Sequence, residues 1–428
     1  MAGSSVDGLV SGIQTSTIIS QLMQVESIGK TKLQGKVSTQ QTITASLQAV
    51  NTRVSAMKTA AQNIIEPAAW NVVKGSSNSD AAVVQAGTGA ATGEFTFDIT
   101  KLAKGHVVTA TVDAAGPVAA SGSVTLTIGG TPTAVAVTTN TAQGLAEAIN
   151  AKGLDVRAAV INADGGKTIL QLTSTKTGEP SRFTIDGLTT TNGPTMVQEG
   201  NNAQLTVGSG LASYTVTSAT NTFSNVLPNV TITVGKLATG VTATVTRNSD
   251  AIADKVAALV GAANTIISDV GAASQQPSSG KPGGALAGNP LARQLIMDTQ
   301  SAISGGKTGY GSYAQMGIQL ERGGKIAFDR AKFIAAYEAN PAAVQTAVTT
   351  GLAKSLGDRA TSAGTDITTV IQNGERRVRD LNAQITQWDV RLDLRQKSLQ
   401  RQFSNLEVSL GKLRDQSNWL SGQIASLG

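Results

Sequence analysis

The sequence of 428 residues contains no cysteine and one histidine, and these shortages exclude several kinds of chemistry. Disulfide bonds, thiolate nucleophiles and cysteine-based zinc sites require residues that the chain lacks. A Ser–His–Asp arrangement would depend on His106 alone. Since His106 opens an alternation of valine and threonine, we interpret it as a strand-edge residue. Carboxylate-only metal sites stay open, but we expect no cofactor, no metal and no enzymatic activity.

Aromatic residues (3%) and charged residues (14%) are also scarce, whereas hydrophobic residues reach 40%. The net charge of +6 comes from scattered basic residues, and the densest cluster, Arg376, Arg377 and Arg379, is followed by Asp380. A nucleic-acid-binding surface instead gathers positive charge on one face beside stacking aromatic rings. We therefore expect no nucleic-acid partner.

Uninterrupted apolar segments of membrane-spanning length are absent from the sequence. No run reaches about 18 apolar residues, so we expect no membrane insertion. The first residues lack a basic start followed by an apolar block, which argues against a cleaved secretory signal.

Residues from 71 to 248 show the period of two that is typical of strands. The alternation of apolar and hydroxyl side chains is clearest at 94–99, 123–128, 230–234 and 241–245. It predicts half-buried antiparallel strands, since alternate side chains point to opposite faces of a strand. A helix is predicted to interrupt them at 141–152, with Gly153 placed to end it.

Helical periodicity flanks the β region on both sides. Before it, a helix is predicted from 16 to 66, capped by Thr15 or Ser16 and stopped by Pro67. After it, helices are predicted from 249 to a linker at 274–288, at 291–303, and at 332–348 with a break at Asn340-Pro341. A small hairpin is predicted at 320–328.

The last segment has the strongest helical signal. Nine apolar residues recur every seven positions: Ile371, Val378, Ile385, Leu392, Leu399, Leu406, Leu413, Leu420 and Leu427. A second seam accompanies them and shifts by one position at Arg395. Because no single globular domain covers so long a stripe, we expect it to pack against helices of this chain or of other copies. The sequence thus predicts a multidomain α+β fold, a nested hairpin with long terminal coiled-coil helices and antiparallel β domains inserted between them.

We divide the apolar residues of the terminal helices into two sets. The first set is predicted to pair helices within the chain: Ile43, Leu47, Val50, Val54, Met57, Ile64, Ile371, Val378, Leu381, Ile385 and Trp388. The second set is predicted to form an assembly interface: Leu9, Ile13, Ile18, Leu22, Val25, Leu392, Leu399, Phe403, Leu406, Leu410, Leu413, Trp419, Leu420, Ile424 and Leu427.

Four glycines weaken the outermost helical segments: Gly29, Gly35, Gly411 and Gly422. Each costs roughly 1 kcal/mol relative to alanine in a helix. Our hypothesis is that the segments before residue 36 and after residue 410 are poorly ordered in the monomer and fold on assembly.

The tetrapeptide Gly-Gly-Lys-Thr, which resembles the end of a phosphate-binding loop, occurs at 165–168 and 305–308. Such a loop also requires a glycine five positions before the second of these glycines. Ile161 and Ser301 occupy those positions. We interpret the first copy as a hairpin turn because it lies between two predicted strands.

Six stretches of the chain carry recognisable motifs. The chain opens with VDGLVSGIQT at 6–15 and IISQLMQVE at 18–26, and it ends with RQFSNLE at 401–407 and QSNWL at 416–420. Between the ends lie GLAEAIN at 144–150 and SATNTFSNVLPNVTI at 218–232. These motifs resemble the flagellar hook-associated protein 2 family, which commonly has glycine at the position of Asn229. The stretch at 144–150 resembles an Ile-Asn repeat that flagellin and hook proteins share.

The resemblance implies a structural protein that caps the bacterial flagellar filament. A homo-oligomeric ring at the extracellular filament tip would promote the folding and insertion of flagellin and prevent its loss. The implied partners are flagellin, the flagellar export machinery with its chaperone, and the hook–filament junction proteins. Export without a cleaved signal peptide is implied as well.

The resemblance also implies four parts of the chain. They are terminal leg helices at 1–40 and 400–428, a helical bundle with a small hairpin at 41–70 and 249–399, an inner β domain at 71–115 and 200–248, and an outer β domain with the Ile-Asn repeat at 116–199. Two alternatives stay open: an extracellular adhesin whose β domain binds a surface ligand, and a sibling filament or junction protein.

Overall fold

The structure is a computed structural model that describes residues 12, 14–114, 116–208 and 212–425. The chain divides into two compact units. A helical unit is built from both ends of the chain, up to Glu66 and from Ala253, and a β unit extends from Pro67 to Ile252. The element order therefore confirms the predicted α+β fold, in which antiparallel sheets are inserted between terminal helices.

The α-helices account for the helical periodicity of the sequence. They are α1 (Thr15–Glu26), α2 (Ile28–Ile65), α3 (Ala142–Ala151), α4 (Ser249–Ala273), α5 (Pro290–Ser304), α6 (Arg330–Ala339), α7 (Pro341–Thr346) and α8 (Lys354–Ala425). A π-helical segment, Ala347–Ala353, joins α7 to α8. With 72 residues at about 1.5 Å each, α8 is about 110 Å long.

The first predicted helix differs from the structure at two points. It is broken into α1 and α2 at Ser27, whose hydroxyl donates a hydrogen bond of 2.8 Å to the carbonyl of Gln24. The backbone ladder continues across this point, since the N–H of Ser27 donates to Met23, and the same kind of hydroxyl bond at Ser20 leaves α1 unbroken. The cap position is held by Gln14, without a side-chain cap bond, so the predicted cap at Thr15 or Ser16 is wrong. As predicted, α2 ends before Pro67.

One helix, α4, is long and apolar enough to cross a membrane by length and composition alone. The expectation drawn from uninterrupted apolar runs overlooked it, since a few polar residues interrupt a largely apolar helix. One stripe of α4 is buried in the protein: Val256, Leu259, Val260, Ala263, Ile266 and Val270. This is the behaviour of a core helix.

The strands occur where the period of two predicts them and at additional places. They are β1 (Val73–Ser77), β2 (Ala82–Ala86), β3 (Gly93–Lys101), β4 (Val107–Val112), β5 (Ser123–Ile128), β6 (Thr131–Ala136), β7 (Val156–Ala163), β8 (Lys167–Ser174), β9 (Phe183–Asp186), β10 (Thr195–Gln198), β11 (Ala203–Val207), β12 (Tyr214–Ser218), β13 (Thr222–Leu227), β14 (Val230–Val234), β15 (Ala238–Arg247), β16 (Ile318–Leu320) and β17 (Ile326–Phe328). In the helical unit, β16 and β17 form the predicted hairpin.

The β unit contains two hydrophobic cores. The first β core includes Phe97, Leu205 and Ile232 and lies between the sheets β1-β15-β3-β11-β12 and β13-β14-β2. The second β core includes Leu126 and Leu170 and is formed by the sheets β10-β4-β8-β7 and β6-β5-β9 together with α3.

The second β core begins earlier in the chain than the predicted boundary at residue 115. Val108, Ala110 and Val112 of β4 belong to the second core, because β4 pairs with β8. The division of the chain into four domains stays a prediction.

Asparagine side chains act as substitutes for a strand partner at several points. The amide of Asn150 donates to the carbonyl of Ala158 at 2.8 Å and accepts from its N–H at 3.0 Å. A carboxamide carries one acceptor and one donor group side by side, so it satisfies both backbone groups of one residue. The same two-bond clasp joins Asn140 to Ala119, Asn221 to Ala103 and Asn264 to Ile326.

Two turns explain particular residues of the motifs. Asn229 has a φ of 60° in the two-residue connection between β13 and β14, where it follows Pro228. Such a left-handed position suits glycine or asparagine, so asparagine can occupy the position at which the resemblance implies glycine. Gly165 and Gly166 also have positive φ, in the turn between β7 and β8. The first Gly-Gly-Lys-Thr stretch is therefore a hairpin turn, as predicted.

Candidate assembly interface on the terminal helices

The helices α2 and α8 pack antiparallel at close range. A Cβ atom placed on Gly29 would lie 2.7 Å from Cζ2 of Trp388, and one placed on Gly357 would lie 3.3 Å from Cβ of Ala61. Between these points, a Cβ atom on Gly374 would lie 2.7 Å from Oγ1 of Thr44. Residue numbers rise along α2 as they fall along α8, which defines the antiparallel arrangement. Glycine allows this approach because it has no side chain.

The residues predicted to pair helices within the chain are buried or half-buried on α2 and α8, and their pairing with one another stays a prediction. The buried ones are Leu47, Val50, Val54, Met57, Ile64, Ile371 and Leu381. The half-buried ones are Ile43, Val378, Ile385 and Trp388. Thr44 was not predicted, yet it is buried on the same stripe, and its hydroxyl has no hydrogen-bond partner among the described residues. A polar residue at a pairing position gives no apolar signal that a sequence pattern detects.

Charged side chains flank the end of the paired region. Lys30 forms an ion pair with Asp389, and Nε of Arg395 lies 3.4 Å from a carboxylate oxygen of Glu26. Exposed ion pairs contribute only about 0–1 kcal/mol each, so the apolar stripe supplies most of the stability and the charges favour the register. Arg395 is also the position at which the second seam shifts, and its ion pair with α1 accounts for a basic residue there.

The predicted assembly residues are less covered than the pairing residues. Leu9, Ile13 and Leu427 lie outside the described residues. Leu399 is buried, and Ile18, Leu392, Phe403 and Leu410 are half-buried. The exposed members are Leu22, Val25, Leu406, Leu413, Trp419, Leu420 and Ile424. We call the five exposed residues of α8 from Leu406 to Ile424 the apolar ridge; at Trp419 and Ile424 the exposure reaches 65%.

Several residues of these helices escaped the sequence analysis. Ile19 is 8% exposed, and it is the most deeply buried apolar residue of α1 within the described chain. On α8, Val390, Leu394 and Val408 are each about 60% exposed. Leu394 and Val408 are two heptads apart, which is a detectable spacing, but the uninterrupted heptad series that contains Leu399 gives the stronger signal.

No group of His, Asp and Glu side chains within the described residues is placed to hold a metal ion. His106 is 6% exposed, and its Nδ1 accepts the N–H of Gly200 at 3.2 Å. His106 directly precedes β4, as the sequence predicts for a residue that opens a strand, and its imidazole is buried. Burial lowers the pKa of His106 and favours its neutral form.

Two family descriptions match the chain. Residues 11–106 match the N-terminus of Flagellar hook-associated protein 2, and residues 200–415 match its C-terminus. The second match alone covers half of the chain. The chain belongs to the flagellar hook-associated protein 2 family. Residues 107–199, which contain most of the second β core, lie between the two matched regions.

Individual members of the family extend this finding over the whole chain. Flagellar hook-associated protein 2 of Escherichia coli strain K12 is 26% identical over 472 aligned positions, which cover 99% of this chain and 98% of the relative. The Lateral flagellar hook-associated protein 2 of Vibrio parahaemolyticus is 26% identical over 60% of this chain and 63% of that relative. The crystal structure of the D1-D2-D3 domains of the Escherichia coli flagellar cap protein FliD has a TM-score of 0.55 at 22% identity. It covers 76% of this chain and 95% of that structure, and it supports the fold.

Proposed function

We propose that this chain forms an oligomeric cap at the tip of a bacterial flagellar filament. The cap promotes the folding and insertion of exported flagellin subunits and prevents their loss. The carrying observation is the apolar ridge of α8, which lies exposed in a chain of the flagellar hook-associated protein 2 family. A member of that family in Escherichia coli is described as a flagellar cap protein.

The apolar ridge supports association because of what it leaves in water. Leu413 is 60% exposed, Trp419 65%, and Leu420 55%, and all three belong to one helix. Leu413 and Leu420 are seven residues apart and therefore lie on one face of α8, and large apolar side chains left exposed on one face mark interaction sites. At about 1.5–3 kcal/mol for each fully buried large side chain, covering the ridge contributes several kcal/mol to association.

The proposed partners follow from this role. Other copies of the chain and flagellin cover the ridge at the filament tip, outside the cell. The export machinery with its chaperone and the hook–filament junction proteins are further proposed partners, and export proceeds without a cleaved signal peptide. The adhesin alternative is not favoured, because the relatives are named as flagellar components and not as adhesins.

Introducing negative charge on the apolar ridge tests the proposal in cells that lack the native gene. The variant Leu413→Glu with Leu420→Glu places two carboxylates on the ridge, and burying them against a partner is unfavourable. The control, Ser404→Glu with Asn418→Glu, adds the same charge to exposed positions on the face of α8 opposite Leu413 and Leu420. We expect the ridge variant to release unpolymerised flagellin into the medium and to abolish swimming, while the control restores both to normal.

Sedimentation of the purified proteins separates assembly from folding. We expect the native chain and the control to form oligomers as concentration rises and the ridge variant to stay monomeric with the same helix content. Equal flagellin release from both variants, or equal oligomerisation, would contradict the proposed role of the ridge.

A further inference from the structure

A cavity of about 560 Å³ opens into the second β core. Its wall contains the apolar side chains of Val108, Phe183, Ile185 and Met196. Met196 pairs with Val108 across β10 and β4 and so shares its face of the sheet, yet Met196 is 56% exposed and Val108 only 6%. A core-facing methionine stays exposed here because the core is incomplete at this point. The volume lies within the range of roughly 300–1,000 Å³ that ligand pockets occupy.

The cavity lies between two strands that each end a sheet. β9 is the last strand of β6-β5-β9, and β10 is the first strand of β10-β4-β8-β7. Residues of both strands line the cavity. A terminal strand presents backbone N–H and C=O groups on one side that a further strand can pair with.

His106 bridges the two sheets at one end of the gap. Its Nδ1 accepts from the N–H of Gly200, just beyond β10, and its ring meets the ring of Phe183 in β9 edge-on, with 4.9 Å between the two ring centroids. The two-residue turn at 129–130 makes Ile128 and Thr131 a hydrogen-bonded pair of β5 and β6. Because the backbone groups of Ile128 face β6, the N–H and C=O of Phe183, which lies opposite Ile128, point away from β5 and toward the gap. Since residues two apart in a strand direct their backbone groups to the same side, the N–H and C=O of Ile185 also face the gap. Beyond the imidazole, the space between the edges is the cavity itself.

We propose that this gap is a binding site for an extended segment of another polypeptide, which adds as a strand beside β9 and β10 and inserts an apolar side chain into the cavity. Strand addition to a sheet edge supplies affinity through main-chain hydrogen bonds, and pockets for alternate side chains supply specificity. The inserted side chain contacts Phe183, Ile185 and Met196 and completes the second β core.

The charge of the rim indicates which segment fits. Glu179 and Glu199 line the cavity together with Arg182, so two carboxylates against one guanidinium leave one net negative charge. Arg182 is already engaged, since Nη2 lies 2.9 Å from Glu199 and Nε donates to the carbonyl of Gly200 at 2.7 Å. A segment with a lysine or arginine beside its apolar side chain is therefore favoured over an acidic one. The site does not depend on the proposed cap function.

The absence of cysteine from the sequence permits a direct test on the full chain. In Met196→Cys the introduced thiol lines the cavity, and in Val197→Cys it lies at the next residue, which is 63% exposed and does not line the cavity. The probe is a blocked heptapeptide of alternating valine and threonine with a central phenylalanine and one lysine. We expect the saturating peptide to slow alkylation of Met196→Cys by ~10-fold or more, equivalent to about 1.4 kcal/mol, and to leave Val197→Cys unchanged.

Two related peptides decide between the kinds of binding. A peptide that is N-methylated at alternate amides keeps every side chain but cannot pair as a strand, and we expect it to give no protection. The second peptide is unmethylated and carries glutamate in place of lysine, and we expect it to protect the thiol of Met196→Cys less well than the original peptide does. Equal protection by the methylated peptide, or by phenylalanine amide alone, would overturn strand addition in favour of a site for small apolar molecules. Protection of neither thiol by any peptide would overturn the site.

A binding measurement on a second pair of variants guards against altered folding. Met196→Glu places a carboxylate in the cavity mouth, whereas Val197→Glu adds the same charge outside it. Anisotropy of the labelled heptapeptide should show at least ~10-fold weaker binding to the first variant and unchanged binding to the second. Matching thermal unfolding of the two variants shows that both are folded alike. Equal affinity of the two variants for the heptapeptide would then contradict the proposal.

Discussion

Gly29 and Gly35 lie on the same helix, yet replacing each by alanine is expected to have opposite effects on the pairing of α2 with α8. Alanine at Gly35 meets no atom within 4 Å, so the change gains the helix propensity of about 0.5–1 kcal/mol. At Gly29 the new Cβ atom would lie 2.7 and 2.9 Å from two ring carbons of Trp388. The rigid indole must shift, at a cost of about 1–3 kcal/mol, and it also loses its contact with Arg391. The net expectation for Gly29→Ala is a loss of about 1 kcal/mol.

Hydrogen exchange of the amides in α2 and α8 measures this difference locally. A chain with two compact units need not unfold in one step, so a single melting temperature would mix their stabilities. A loss of about 1 kcal/mol speeds exchange about fivefold. We expect Gly29→Ala to show this acceleration and Gly35→Ala to show a slowing of two- to fivefold, by roughly the same conversion.

The partner of the contact supplies the decisive comparison. Trp388→Leu shortens the side chain that blocks the new methyl group, so Gly29→Ala should stop being harmful in that background. The expected coupling between the two changes is about 1–2 kcal/mol. If Gly29→Ala slows exchange as much as Gly35→Ala does, the close approach of Gly29 to Trp388 does not exist and the register of α2 on α8 is wrong.

Two further predictions concern the β unit and the clasps. The imidazole of His106, flanked by Arg182 and Glu199, should titrate below its ordinary pKa of 6.5, because burial disfavours its charged form. The stability that the neutral imidazole contributes is then complete above about pH 6.5 and is lost as the pH falls through the folded-state pKa. The single histidine signal in a proton NMR titration measures that pKa, and a value at or above 6.5 would contradict the prediction. Asn150→Ala should destabilise the β unit by about 2–3 kcal/mol, and Asn264→Ala should destabilise the helical unit by a similar amount, because each change leaves a backbone N–H and C=O without partners. Urea unfolding of each unit, monitored by proteolysis, tests both predictions.

The sequence predicts best the features that repeat. The spacing of seven in the last segment indicates a long helix because each step returns to the same face, and α8 extends over 72 residues. The alternation of Thr and Val at 123–128 predicts β5 for a similar reason. In both cases the pattern results from burial on one side of a regular element, so a single chain reveals it.

Features that depend on one contact between distant residues give no such repeat. The sequence analysis counted Gly29 as a weakness of the helix, whereas the structure places it against Trp388, where a larger residue would clash. The break at Ser27 has no sequence pattern of its own, since Ser20 forms the same hydroxyl bond within α1 without a break. The cavity beside Met196 depends on where β9 and β10 end their sheets, and pairing between distant segments leaves no local pattern in the sequence.

The two edges of the sheet β10-β4-β8-β7 show how this chain controls strand addition. At the β7 edge, Asn150 bonds both backbone groups of Ala158, so a dedicated side chain occupies the position of a further strand. At the β10 edge, Met196 is left exposed beside an open cavity. Closing an edge is the usual protection against unwanted pairing, and a chain that closes one edge of a sheet and leaves the other open favours pairing at the open edge. Asn150→Ala should therefore add a second edge that pairs with other molecules, and concentration-dependent association that Met196→Glu does not suppress would distinguish it from binding at β10.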